Sequence, residues 1–205
     1  MNSITSNRYL ISTLLAMTLI TTSACNSKRL RQIGTIVAVG IAAKLIYDMV
    51  VDYQSKQVND EAQVATRYKK LHGHLPPQPL LVDYESSIKP GDVVSAGTDI
   101  SIQSRLEVVR GESTRQVNIQ EKIIIFDNED PTKELKSLTK VVNEKTKTSG
   151  AFVNEFTFKL PKGMPQGIYP VRTQVIVNGQ AYEAVHSQMQ LVKIQSNVQS
   201  LVASF

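Results

Sequence analysis

From Leu80 onward apolar residues recur at every second position, and that period restricts the fold more than any other feature of the chain. Ile100, Ile102, Leu106 and Val108 alternate with polar residues. So do Val117, Ile119, Ile123 and Ile125, then Phe152, Phe156, Phe158 and Leu160, then Tyr169, Val171, Val175 and Val177. A period of two sets one face of a strand against a core and the other in water. The last of these segments runs into Asn178-Gly179, the dipeptide that best tolerates the positive backbone angles of a two-residue hairpin. Ala181 to Leu191 is the expected return strand. Turns are expected at Lys89-Pro90-Gly91-Asp92, Arg110-Gly111-Glu112-Ser113, Asn128-Glu129-Asp130-Pro131 and Pro161-Lys162-Gly163-Met164-Pro165. Roughly six to eight strands at this spacing imply an antiparallel sandwich over residues 80–194. With no Trp and 5 Phe in the chain, its core must come mainly from Val, Ile, Leu and Ala.

Upstream the pattern is different. Lys28, Arg29 and Arg31 precede an apolar stretch from Ile33 to Val51, which Lys44 and Asp48 interrupt. The uncharged run from Ile33 to Ala43 falls short of the ~20 residues that a membrane-spanning helix needs. It suits a segment lying at the head-group boundary or against a neighbour. Gly34, Ala38 and Ala42 recur every four residues, which would place three small side chains on one helix face and permit close approach of a second helix. The competing reading is an ordinary core or interface helix. Over residues 59–73 the end signals are clear: Asn59 is a suitable N-cap, Asp60 and Glu61 follow it, Lys69 and Lys70 stand in the last turn, and Gly73 stops the helix. Val58, Ala62, Ala65, Tyr68 and Leu71 would form its apolar stripe. Pro76, Pro77 and Pro79 then predict an extended connector over residues 74–79. The expected order is a helical stalk over 25–73, this linker, the sandwich over 80–194, and a tail or short helix over 195–205 carrying Val198, Leu201, Val202 and Phe205.

The first residues have the three parts of a signal peptide: a short n-region with Arg8, an apolar run from Tyr9 to Ile20, and the small residues Thr21-Thr22-Ser23-Ala24 before Cys25. Thr-Thr-Ser-Ala-Cys resembles the lipobox of bacterial lipoproteins, although Thr22 stands where that family usually has leucine. The resemblance implies removal of residues 1–24 by cleavage between Ala24 and Cys25, with diacylglycerol and palmitate carried on Cys25 as a covalent lipid and no other cofactor. Ordinary secretory cleavage at the same bond is the alternative, and it would leave a free thiol. Cys25 is the chain's 1 cysteine, and a leftover thiol is a liability in an oxidising compartment. Asn26 follows it in place of the aspartate that, in that family, retains a lipoprotein at the inner membrane. An outer-membrane anchor, with the body facing the periplasm or the exterior, is therefore the expectation.

A second resemblance concerns the fold. Phe156-Thr157-Phe158-Lys159-Leu160-Pro161 through Gly167-Ile168-Tyr169-Pro170-Val171 is similar to the late-strand hairpin of bacterial immunoglobulin-like modules, in which a Gly-x-Tyr turn leads back into the sheet. It implies a mainly β chain, an antiparallel immunoglobulin-like sandwich preceded by the N-terminal helical stalk.

Motifs for chemistry are sparse. No Gly-x-Ser-x-Gly elbow, phosphate-binding Gly-Lys-Ser/Thr loop or zinc-binding His pair occurs. His72 and His74 flank the helix stop, and His186 falls in a strand without a nameable partner. Asp127, Glu129 and Asp130 gather between two strand segments but lack the glycine and distal glutamate of a calcium loop. Asp130-Pro131 reads better as a turn or a helix start. No catalytic and no metal-binding residue is assigned. The chain carries 23 basic and 18 acidic side chains, formally +5, and loses Arg8 with the leader. Such a mild excess, without a dense basic run, gives no reason to expect nucleic acid. The expected function is that of a non-enzymatic binding or assembly module of the cell envelope, held to membrane lipid through Cys25 and working on an envelope protein partner. The alternative is a structural homo-oligomer joined through the Gly34/Ala38/Ala42 face.

Overall fold

The computed structural model describes residues 43–193, so Ala24, Cys25, the Gly34/Ala38/Ala42 face and the tail from Val198 to Phe205 lie outside the described residues. After a helical segment at 43–47 the order is β1 (Val51–Asn59), α1 (Glu61–His72), β2 (Leu80–Lys89), β3 (Val93–Ser95), β4 (Asp99–Val109), β5 (Ile119–Phe126), β6 (Glu134–Val141), β7 (Gly150–Lys159), β8 (Gly167–Val177), β9 (Gln180–Ala181) and β10 (Val185–Val192). One sheet runs β1-β7-β4-β2. The other runs β3-β10-β8-β5-β6, with β9 paired to β8. Every pairing is antiparallel except that of β3 with β10. Among the described residues no helix is long and apolar enough to cross a membrane.

The two sheets close on each other through the positions that the period of two marks, all of which are buried. At one end Ile100, Ile102, Phe156 and Phe158 of the first sheet meet Ile123, Ile125, Tyr169, Val171, Met189 and Leu191 of the second. At the other, Leu106, Val108 and Phe152 meet Ile119, Val175 and Val177. Side chains of this kind each contribute roughly 1.5–3 kcal/mol on leaving water, which is why the alternation, and not intrinsic propensity, sets the strands. Asn178 and Gly179 have φ of 49° and 85°, as the tight hairpin requires. The expected return strand, however, is split. β9 and β10 meet β8 in registers one residue apart (Ile176↔Ala181, then Thr173↔Val185), leaving one extra residue between them.

Three expectations about the N-terminal part are corrected. Residues 51–59, expected within a helical stalk, form β1 and pair with β7 from Val51↔Phe158 to Asn59↔Ala151. Their own sequence permits this: Val51, Tyr53, Ser55 and Gln57 turn inward while Asp52, Gln54, Lys56 and Val58 stay exposed. The sandwich therefore takes in chain on the N-terminal side of the prolines. Its first cluster also receives Ile46 and Met49, and the Lys136 ammonium holds that segment by donating to the carbonyls of Tyr47 (2.9 Å) and Met49 (2.6 Å).

Second, α1 starts one residue later than Asn59. Asp60 is the N-cap, and a capping box links its carboxylate to the Gln63 N–H and the Gln63 side chain back to the Asp60 N–H. The helix buries Val64, not the anticipated stripe. Val64 meets Val109 and Ala151 on the outer face of the first sheet, with Tyr68 and Leu75 beside them, whereas Leu71 is exposed. Arg67 pairs with Glu107, and Arg110 with Glu61 at 3.2 Å, which fixes the helix along β4.

Third, the proline segment is not a free spacer. The carbonyls of Pro76 and Pro77 accept from the N–H groups of Glu112 (3.0 Å) and Ser113 (3.2 Å), and that of Pro79 accepts from the Tyr182 hydroxyl. Asp130-Pro131 makes a turn, not a helix start: the Lys133 N–H closes onto the Asp130 carbonyl at 3.0 Å.

Candidate functional site

Each of the alternations has one interior position that is not apolar: Ser104 in β4, Glu121 in β5, Asn154 in β7 and Thr173 in β8. All are buried. Register brings them together. Ser86 stands opposite Ser104, Ser104 opposite Asn154, and Asn154 opposite Ser55. A single polar row therefore crosses all the strands of the first sheet, between the two apolar clusters. Glu121 faces this row from the second sheet, fully buried. Its Oε1 accepts from the Tyr84 hydroxyl at 2.8 Å, and its Oε2 accepts from the Ser104 hydroxyl at 2.9 Å and the Asn154 amide at 2.8 Å.

Burial pushes the Glu121 carboxyl above the ordinary glutamate range, against the opposing pull of its donors Ser104, Tyr84 and Asn154. Burial likewise raises the Tyr84 hydroxyl, with the Glu121 charge adding to it. Several polar atoms of this layer have no protein partner: the hydroxyls of Tyr53, Ser55, Ser86 and Thr173, and Oδ1 of Asn154. A folded-state pKa above the unfolded one means that the native state holds its proton more tightly. The stability that this adds is complete below about pH 4.3 and is lost as pH rises through the native value. Glu121→Gln removes that dependence. The native chain's melting temperature minus the variant's should therefore fall as pH is raised from about 4 to about 8; thermal unfolding across that range checks it, and a signed difference that stays constant or rises contradicts it.

The layer reaches the surface beside β1, which forms one edge of its sheet. There a cleft of about 420 Å³ runs between β1 and the turn after β6, lined by Tyr53, Ser55 and Gln57 on one bank and by Asn143, Glu144 and Thr146 on the other. Tyr53 joins cleft and layer: its ring packs on Phe156 at 4.6 Å, and its hydroxyl is raised by burial and further by the Glu121 charge. Gln57 is tied across the mouth, its amide donating to the Ser149 carbonyl at 3.0 Å. The outer edge of β1 has β7 as its strand neighbour on one side and no paired strand on the other among the described residues.

The residues weighed for metal chemistry lie apart. His72 stacks on Tyr68 at 4.2 Å, and His186 pairs with Arg172 across the β10–β8 ladder. Asp127 accepts from the Glu129 N–H at 2.8 Å and approaches the Lys133 ammonium at 3.6 Å, while Asp130 accepts from Thr132. These are loop-shaping bonds. Among the described residues no three His, Cys, Asp or Glu side chains converge on one point.

No protein-family model matches the chain, and no curated protein does. Solved structures similar to it include the CARDB domain of the PF1109 protein from Pyrococcus furiosus, described in complex with di-metal ions (16% identity, 57% of this chain and 96% of that chain, TM-score 0.37). A cohesin module from a Clostridium perfringens family 33 glycoside hydrolase is another (14%, 54% and 97%, TM-score 0.32). A third is the Pseudomonas fluorescens alkylpurine DNA glycosylase AlkC bound to DNA containing an abasic site analog (15%, 63% and 34%, TM-score 0.35). Any reading of function has to rest on this chain's own residues.

Proposed function

We propose that the chain is a lipid-anchored, non-enzymatic binding or assembly module of the bacterial outer membrane, and that β1 is the element by which it takes hold of a protein partner. The open edge of β1 carries this reading. Nine residues, Val51–Asn59, end their sheet beside a cleft, and an exposed edge offers backbone donors and acceptors to an incoming strand. Order β2-β4-β7 against β5-β8-β10 supports an immunoglobulin-like sandwich. Donors on both oxygens of Glu121 hold it as a fixed point of the interior.

The anchor rests on Thr21-Thr22-Ser23-Ala24-Cys25. With acyl chains on Cys25, residues 26–50 would connect the bilayer surface to the first strand of the sandwich. Mass spectrometry of the native N-terminus, combined with membrane fractionation, tests it. The expected species begins at Cys25, carries lipid and sediments with outer membranes; an unmodified thiol in the soluble periplasmic extract overturns the anchor.

A further inference from the structure

We infer that the partner for the β1 edge is a second copy of this chain, joined to it antiparallel about a two-fold axis through Gln54. This rests on β1 being the contact element and names what it contacts. Directly opposed residues in a sheet must point to the same face, so a symmetric antiparallel pairing of β1 with itself has to centre on a residue. Centring on Gln54 sets Asp52 against Lys56 of the other copy and Lys56 against its Asp52, two opposite-charge pairs on the exposed face. Centring on Lys56 would oppose two lysines. Centring on Tyr53 or Ser55 would leave Asp52 facing Gln54 or Val58.

The same register has two further consequences. On the inner face it sets Tyr53 opposite Ser55, twice by symmetry. Flanking the charged pairs, it brings Val50 opposite Val58, which are 78% and 40% exposed in the single chain. The joined sheets would run β2-β4-β7-β1 into β1-β7-β4-β2 without a break. Such an interface is isologous and closed, so it leaves no further copy of β1 open to pair.

The test uses the full chain and reads its mass by sedimentation over a concentration series, in detergent where the lipid requires it. The native chain should be a dimer. Asp52→Lys alone opposes two lysines, and Lys56→Glu alone opposes two acids; each should weaken dimerisation by about tenfold or more. Asp52→Lys/Lys56→Glu in one chain should restore it, and so should mixing the two single variants, whose charges complement each other. Recovery on mixing excludes misfolding as the cause of either loss. A native chain that stays monomeric throughout overturns the inference, as does a dimer whose mass neither single variant changes; the latter would move the association to another surface, such as the Gly34/Ala38/Ala42 face. Neither result removes β1 as a contact element for a different protein, which cross-linking from Gln54 would still detect.

Discussion

Phe156→Ala should cost the fold about 3–5 kcal/mol, the usual range for deleting a fully buried aromatic ring. Phe156 is 0% exposed. It stands in β7 between Ile102 of β4 and Tyr53 of β1, and its ring lies 4.6 Å from that of Tyr53. Truncation therefore removes the ring that the edge strand leans on and leaves a void beside the polar layer, which the neighbouring β-ladders cannot collapse to fill. At roughly 2–4 °C per kcal/mol for a domain of this size, the melting temperature should fall on the order of 10 °C. The loss should also be uneven, with amide exchange in β1 rising more than in β5 or β8. A fall of under about 1 kcal/mol would mean that β7 is not the centre of the first sheet.

Gly150→Ala should be nearly as damaging, by about 2–4 kcal/mol, from strain and overlap together. Gly150 opens β7 at φ 145°, a conformation that L side chains rarely adopt. A Cβ there would sit 2.5 Å from Gln57 Nε2 and 2.6 Å from the Asn59 carbonyl oxygen. The amide end of Gln57 can swing aside, but the Asn59 carbonyl is backbone and cannot. Neighbouring bonds converge on the same corner: Ser149 donates from its N–H and its hydroxyl to Glu61 Oε2 at 3.2 and 3.0 Å, which ties the start of α1 to the start of β7. Pushing β1 away breaks that junction. Gly91→Ala is the control, since a Cβ there meets nothing within 4 Å, and it should change stability by less than about 0.5 kcal/mol. Thermal unfolding of the two variants side by side makes the comparison; equal losses would show that the corner tolerates a side chain.

Much of the sandwich could be read directly from residues. The period of two marks an inward face because burying one side of a pleated strand is the main source of its stability, and the tight turn at Asn178-Gly179 follows from their tolerance of positive φ. β1 was hidden for a physical reason as well. It is an edge strand with polar inward residues at Ser55 and Gln57, so its own pattern is weak, and it is strand chiefly because β7 offers it a ladder. It also follows an apolar stretch that reads as helix. Val64 does not stand out in the helical pattern because α1 touches the sheet through one narrow line of contact and not through a broad stripe.

The polar layer was present in the sequence as four gaps. Ser104, Glu121, Asn154 and Thr173 each interrupt an otherwise apolar alternation, and any one gap alone looks like an ordinary imperfection. Only register shows that Ser86, Ser104, Asn154 and Ser55 fall in one line and that Glu121 faces it. A single inward acid among Ile119, Ile123 and Ile125 was the local signal available, because an acid is almost never fully buried without partners.

The functional account turns on whether β1 touches another protein in the membrane. A photo-reactive phenylalanine derivative placed at Gln54, and separately at Asp83 on the opposite edge strand β2, would be activated in native membranes with the lipid anchor intact. The account predicts a discrete cross-linked product from Gln54, which the Lys56→Glu background diminishes, and none of the same mass from Asp83. Equal products from both edges, or none from Gln54, would contradict it.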